Sequence, residues 1–117
     1  MISQVDAKAI AAMLAAVGEP TRMLLLHQLT AGPAHVGKLA ELVGAPVVNV
    51  SHHLGVMRQA GILEDTRAGR RKVYSLREDV YTPGGGPGVI GSLRRGQFVL
   101  VLRTEEKAAS IRAKQAG

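Results

Sequence analysis

A chain of 117 residues, 46% hydrophobic and carrying a net charge of +6, is long enough for one domain with its own core, or one core plus an appendage, and too short for two full domains. It has no cysteine, which excludes disulfides, zinc-thiolate sites and thiol redox chemistry; its longest apolar run, Ala9–Val17, is too short to span a bilayer, so a soluble cytoplasmic protein with no membrane partner is expected. The charge is uneven: Lys8, Arg22 and Lys38 balance Asp6, Glu19 and Glu41 as far as Met57, and all the excess lies from Arg58 onward.

Ile10, Met13, Leu14 and Val17 stand at i, i+3, i+4 and i+7, which predicts an amphipathic first helix that Gly18 ends. Pro20 suits the first turn of a second helix, because its missing N–H is not needed there, and "TRMLLLHQL" carries that helix to about Leu29. Gly32-Pro33 breaks the chain. Val36, Leu39, Ala40 and Val43 then repeat the helical spacing over a short third helix, with Gly44 as its stop. Only Ala45-Pro46 separates this from a fourth apolar series, Val47, Val50, Leu54 and Met57, which ends at Ala60-Gly61. Two short helices joined by so tight a turn make a helix-turn-helix.

Next, "ILEDTR" and "KVYSL" flank "AGR", a β-hairpin with Tyr74 and Leu76 on its core side and Arg67, Arg70, Arg71 and Lys72 at its tip. Four cations in six residues suit a polyanion, since several phosphates can be neutralised together with release of counterions; they equally suit a solvated tip kept basic for solubility. Past Leu76 the character changes. "TPGGGPG", Thr82 to Gly88, reads as a loop with neither helix nor strand signal. "QFVLVL" is a short apolar strand that "VIGSL" can pair across the "RRGQ" turn, and Thr104 can cap a last helix with Glu105 and Glu106 at its positive end and Arg112 and Lys114 at its negative end. The expected fold is therefore mostly α with a β-hairpin wing (α+β): a winged helix-turn-helix over residues 1–80, then an atypical C-terminal extension over 81–117 that contains a short apolar strand and a helix.

"GEPTRMLLLHQL", "KLAELVG", "VSHHLGVMRQAGIL" and "RAGRRKVYSL" resemble, in that order and spacing, the ArsR/SmtB family of winged-helix transcriptional repressors. The resemblance covers about Ala9 to Leu76. It implies a homodimer bound to double-stranded DNA, with the recognition helix Pro46–Ala60 in the major groove and the wing, residues 62–76, along the backbone or minor groove. Carried onto this chain, it implies DNA contacts from Asn49, Ser51 and His52 and phosphate contacts from Arg67, Arg70, Arg71 and Lys72, with Arg58 a further DNA-binding residue; Val47 and Val48, where the chain departs from its relatives, are candidates for thymine-methyl contact.

Adjacent histidines on a helix point about 100° apart, so His52 and His53 do not face one ligand. His53 falls beside Val50, Leu54 and Met57 and is expected to be a partly buried packing residue. His52 is left outward, for DNA or for solvent. Many members of that family sense a metal through cysteines on the third helix or histidine and acidic ligands after the wing. Here the third helix has only His35 and the segment after the wing has no histidine, so neither a metal nor another cofactor is expected, while an unknown small-molecule effector stays open.

Two further departures bear on function. The recognition helix opens Pro46-Val47-Val48 where relatives are polar, which leaves a rival reading: a winged-helix scaffold that binds protein rather than specific DNA. The family's C-terminal dimerisation helix does not follow the wing, so the apolar strand and last helix are expected either to rebuild part of a dimer interface or to form an effector pocket. Neither reading calls for an enzyme.

Overall fold

A computed structural model describes residues 1–104. Helix α1, Gln4–Val17, starts where the Ser3 hydroxyl accepts the Asp6 N–H at 3.1 Å. Helix α2, Pro20–Leu29, has Pro20 in its first turn and is capped by the Glu19 carboxylate, which accepts the Arg22 N–H at 2.9 Å. The axis bends by 94° between the two. Helix α3, Val36–Val43, ends in left-handed Gly44, and the Ala45 N–H reaches back to the Ala40 carbonyl at 3.1 Å; Pro46 then opens α4, Val47–Gln59. These are the four helices the apolar spacing predicts.

A first sheet, in the order β1-β3-β2, joins Ala34–His35 (β1), Leu63–Ala68 (β2) and Arg71–Leu76 (β3), all antiparallel. The β2–β3 hairpin closes on Gly69-Arg70, with Gly69 at φ +65°; this is the two-residue turn that wants glycine first, and its twist matches that of the strands. Tyr74 is buried as expected, and Leu76 packs against the core half-buried. The two-residue β1 has no sequence signature, and it gives the wing a third strand.

The described part of the C-terminal extension is a second antiparallel sheet, which adds one strand to the expected pair. It runs β4 (Tyr81–Pro83), β5 (Val89–Arg95) and β6 (Phe98–Arg103), with β5 in the middle. The β5–β6 pairing follows the expected one across Gly96-Gln97. β4 corrects the expectation that Thr82 and Pro83 lie in a loop without strand character. Proline is tolerated there because β4 is an edge and has a free side to which Pro83 can turn its missing donor. Tyr81 fixes the pairing by lying across Gly91, where even a Cβ would come within 2.5 Å of the ring, and its hydroxyl donates to the Ile90 carbonyl at 3.2 Å. Burial pushes the Tyr81 phenol above its ordinary pKa. The last helix expected from Thr104 onward lies outside the described residues.

One apolar cluster holds both parts together. Met13, Leu26, Leu54 and Ile62 of the helical unit are buried with Val80 and with Leu93 of β5, the last at 0% exposure. Removing a buried leucine side chain loses its transfer energy and leaves a cavity, so Leu93→Ala is expected to cost about 2–5 kcal/mol. Urea unfolding checks this: a lowered midpoint at unchanged slope in one transition is the expected result, and a loss under about 0.5 kcal/mol would show that the second sheet is not anchored through this residue.

Candidate nucleic-acid interface

Helix α4 has a definite inner and outer face. Val50, Leu54 and Met57 are each 0% exposed, so their packing fixes the rotation of the helix about its axis. That phase turns Val47, Val48, Asn49, Ser51 and His52 outward, all of them exposed. Val47 therefore leaves the apolar series it was expected to join and sits on the open face with Val48, which is 79% exposed. Pro46 supplies no side-chain cap, so the first-turn N–H groups of α4 remain directed outward beyond these valines.

His53 is partly buried, but its surroundings are polar rather than purely apolar. Its Nδ1 lies 3.1 Å from Arg22 Nη1 and 3.6 Å from Glu19 Oε2. Nδ1 accepts the guanidinium N–H when the ring proton is on Nε2. Arg22 also donates from Nε to the Ala16 carbonyl and from Nη2 to the Ala15 carbonyl at 3.4 Å, and so covers orphan carbonyls at the end of α1. One arginine thereby joins α1, α2 and α4 behind the outward face. His52 meets His53 edge to face, with ring centres 5.7 Å apart, and has its open side to solvent.

The wing cations divide by what they touch. Lys72 Nζ lies 3.4 Å from Asp65 Oδ2, and Arg58 Nε of α4 lies 3.7 Å from Asp65 Oδ1. Asp65 on β2 therefore ties the end of α4 to β3. Lys72 and Asp65 are diagonal neighbours across the ladder, since Asp65 stands opposite Tyr74. Arg71 Nη1 lies 3.3 Å from His35 Nε2. His35 caps α3 by accepting the Lys38 N–H at Nδ1 over 3.2 Å, which places its proton on Nε2, so the Arg71 contact is proximity of two donors and leaves the guanidinium available. Arg67 and Arg70, both exposed, have no hydrogen bond or ion pair among the described residues. The structure thus brings all ten expected residues, from Val47 to Lys72, to the surface of α4 and its adjoining hairpin.

Two residues that sequence reasoning missed shape this surface. Asp65 is one; the other is Arg95 of β5, whose Nη2 donates to the Ala60 carbonyl at 2.8 Å and caps the C-terminus of α4 from the second sheet. Nothing local in "LEDTR" or "LRRGQ" signals either contact. Between α2 and the second sheet a cleft of about 240 Å³ opens, with Met23, Leu26, His27, Ile90, Leu102 and Arg103 in its wall. No single helix among the described residues is long and apolar enough to cross a membrane.

Comparison with known proteins places this geometry. Residues 17–66 match a family described as a helix-turn-helix domain. The HTH-type transcriptional regulator NmtR of Mycobacterium tuberculosis is 45% identical over 67 residues, 57% of this chain and 56% of that protein, so the chain spans little more than half of NmtR. The transcriptional repressor SdpR of Bacillus subtilis is 35% identical over 65 residues, covering 56% of this chain and 72% of the repressor. Among solved structures, a homodimeric winged helix-turn-helix DNA-binding domain from Mycobacterium bovis superposes with a TM-score of 0.60 at 26% identity, covering 67% of this chain and 76% of that one.

Backbone N–H donation from Arg22 holds the Glu19 carboxyl below its ordinary pKa. A depressed folded pKa means that the contribution to stability is complete above the usual glutamate range and is lost as the pH falls through the folded value. Thermal melts should therefore show Glu19→Gln less stable than the parent at neutral pH, with the gap closing in acid. A gap that stays constant with pH would remove the carboxylate from the account.

Proposed function

The chain belongs to the ArsR/SmtB family of winged-helix transcriptional regulators, and from that membership we propose that it acts as a homodimeric, sequence-specific repressor bound to double-stranded DNA. The observation that carries the reading is the conjunction on one surface of an outward α4 face with Asn49, Ser51 and His52 and a wing tip with Arg67 and Arg70 unpartnered among the described residues. Asn49 suits an adenine edge in the major groove, and Ser51 and His52 suit base or phosphate hydrogen bonds. Val47 and Val48 suit thymine methyl groups. Specificity then rests on few polar contacts together with DNA shape.

The wing residues take unequal parts. Arg67, Arg70 and Arg71 reach phosphates directly. Lys72 and Arg58, both exposed, first hold the part-buried Asp65, a surface pairing worth little on its own, and exchange it for phosphate on binding. In this role the protein works on cytoplasmic DNA as a reader rather than a catalyst, and it needs no bound metal or cofactor. Residues 1–80 form the DNA-reading unit and the remainder an appended one. The cleft between α2 and the second sheet is the candidate place for the small-molecule effector that the sequence leaves open. The scaffold alternative finds no counterpart in the relatives above, which are named as a regulator, a repressor and a DNA-binding domain.

Fluorescence anisotropy on DNA from upstream of the gene and on a scrambled duplex, across a salt series, tests the proposal. The upstream fragment should bind tighter by orders of magnitude, and Arg67→Ala/Arg70→Ala should flatten the slope of log affinity against log salt by about 0.9 for each phosphate that is no longer neutralised. Equal, weak binding to both duplexes would overturn it. Asp65→Asn gives a separate check: by releasing Arg58 and Lys72 and removing a negative charge, it should tighten binding to both duplexes by roughly a few-fold, the scale of an exposed ion pair. Weaker binding would mean that Asp65 serves to position the wing.

A further inference from the structure

We infer that strand β6 is a dimerisation edge at which a second copy of this chain pairs antiparallel, joining the two C-terminal sheets into one. The inference rests on the homodimer reading and names the surface that carries it.

The sheet has two unlike edges. β4 is three residues long and ends in Pro83, two devices that close an edge to further pairing. β6 has neither. It runs six residues, Phe98-Val99-Leu100-Val101-Leu102-Arg103, with one charge at its end, and it has no neighbouring strand on its outer side among the described residues. The wing sheet shows the contrast: its exposed long edge, β2, carries Glu64, Asp65 and Arg67. Along β6, Phe98 is 41%, Val99 51% and Val101 49% exposed. A long edge without charge or proline invites strand addition, so a stable protein needs it covered.

The hairpin decides which backbone groups are on offer. Arg95 and Phe98 close the two-residue turn and exchange their hydrogen bonds, so alternation along the ladder directs the N–H and C=O of Val99 and Val101 away from β5. In an antiparallel pairing about a two-fold axis at Leu100, Val99 stands opposite Val101 of the partner subunit and Leu100 opposite Leu100 of the partner subunit. The outward groups then meet one another, the valines pair on one face, and the apolar inner face continues across the axis. Arg103 falls opposite Gln97 of the partner subunit, so like charges do not meet. Such a contact is self-complementary and closes at two copies, because β4 offers no second open edge. Helix α1 reaches the same hairpin, with the Asp6 carboxylate beside Gly96, and its neighbouring Val5 is 76% exposed; that apolar surface is available to widen the contact beyond the strands.

Sedimentation velocity on the full chain over a concentration series tests this with two variants. Val101→Pro removes an outward N–H and leaves the ladder to β5 intact. Val99→Lys/Val101→Lys places charge on the edge without touching the backbone. Far-UV circular dichroism confirms the fold, and if the proline variant fails to fold the lysine variant supplies the reading. The expected result is a parent dimer of twice the 12.3 kDa chain mass and a dimer at least a hundredfold weaker in the variants. A dimer of unchanged affinity in a folded variant would overturn the β6 interface and leave the homodimer standing. A parent that stays monomeric would overturn both.

Discussion

The burial of three side chains, Val50, Leu54 and Met57, sets the rotation of α4, and most of what this protein presents to a partner follows from that phase. A turn of the helix by one residue, about 100°, would bring a polar residue inward and carry a core residue to the surface. Doing so would break up close apolar packing in an interior that does not deform freely. Arg22 reinforces the setting from behind, since it satisfies the last carbonyls of α1 and touches His53 on α4 with the same guanidinium. The outward residues thus owe their direction to the inward ones.

Around this fixed helix the charges are arranged so that some are held and some are loose. Asp65 draws Arg58 and Lys72 together across two elements, while Arg67 and Arg70 at the hairpin tip stay uncommitted among the described residues. Surface ion pairs of this kind are individually weak, so the Asp65 contacts hold Arg58 and Lys72 near the wing and give way readily to a stronger anion. The second sheet joins the same arrangement through Arg95, which caps α4 at Ala60. A displacement of that sheet therefore has a direct mechanical route to the recognition helix, through one hydrogen bond and the buried Leu93.

The helical half was legible in the sequence because local rules and the tertiary fold agree there. Apolar spacing, Pro20 at a helix start, Gly44 at a helix stop and the short "AGR" break between two strands each act within a few residues. The wing cations and, on α4, Asn49, Ser51 and His52 were legible for the same reason, aided by the family resemblance, whereas Val47 was read into the apolar series and stands outside it. What escaped depends on distance along the chain. Arg95 meets Ala60 and His53 meets Arg22 across separations of 35 and 31 residues, and no pattern in either segment encodes the other. Leu14 belongs to the apolar period of α1 and yet is 45% exposed, because periodicity identifies a face without saying whether the same chain covers it. Strand β4 was hidden by its composition: Pro83 and the glycines after it argue for a loop, and the pairing is decided by how Tyr81 fits the bare backbone of Gly91.

That last fit ties two positions together through time as well as in space. With the Tyr81 ring occupying the volume where a side chain at 91 would begin, position 91 cannot vary first: a larger residue there is tolerated only once position 81 has shrunk. Chains descended from this one that keep the second sheet should carry the glycine and the aromatic as a pair, and those that have shed the sheet are released from both constraints at once. The pair is thus an inheritable mark of the appended sheet, readable in related sequences even where the glycine-rich loop between the two positions has changed in length.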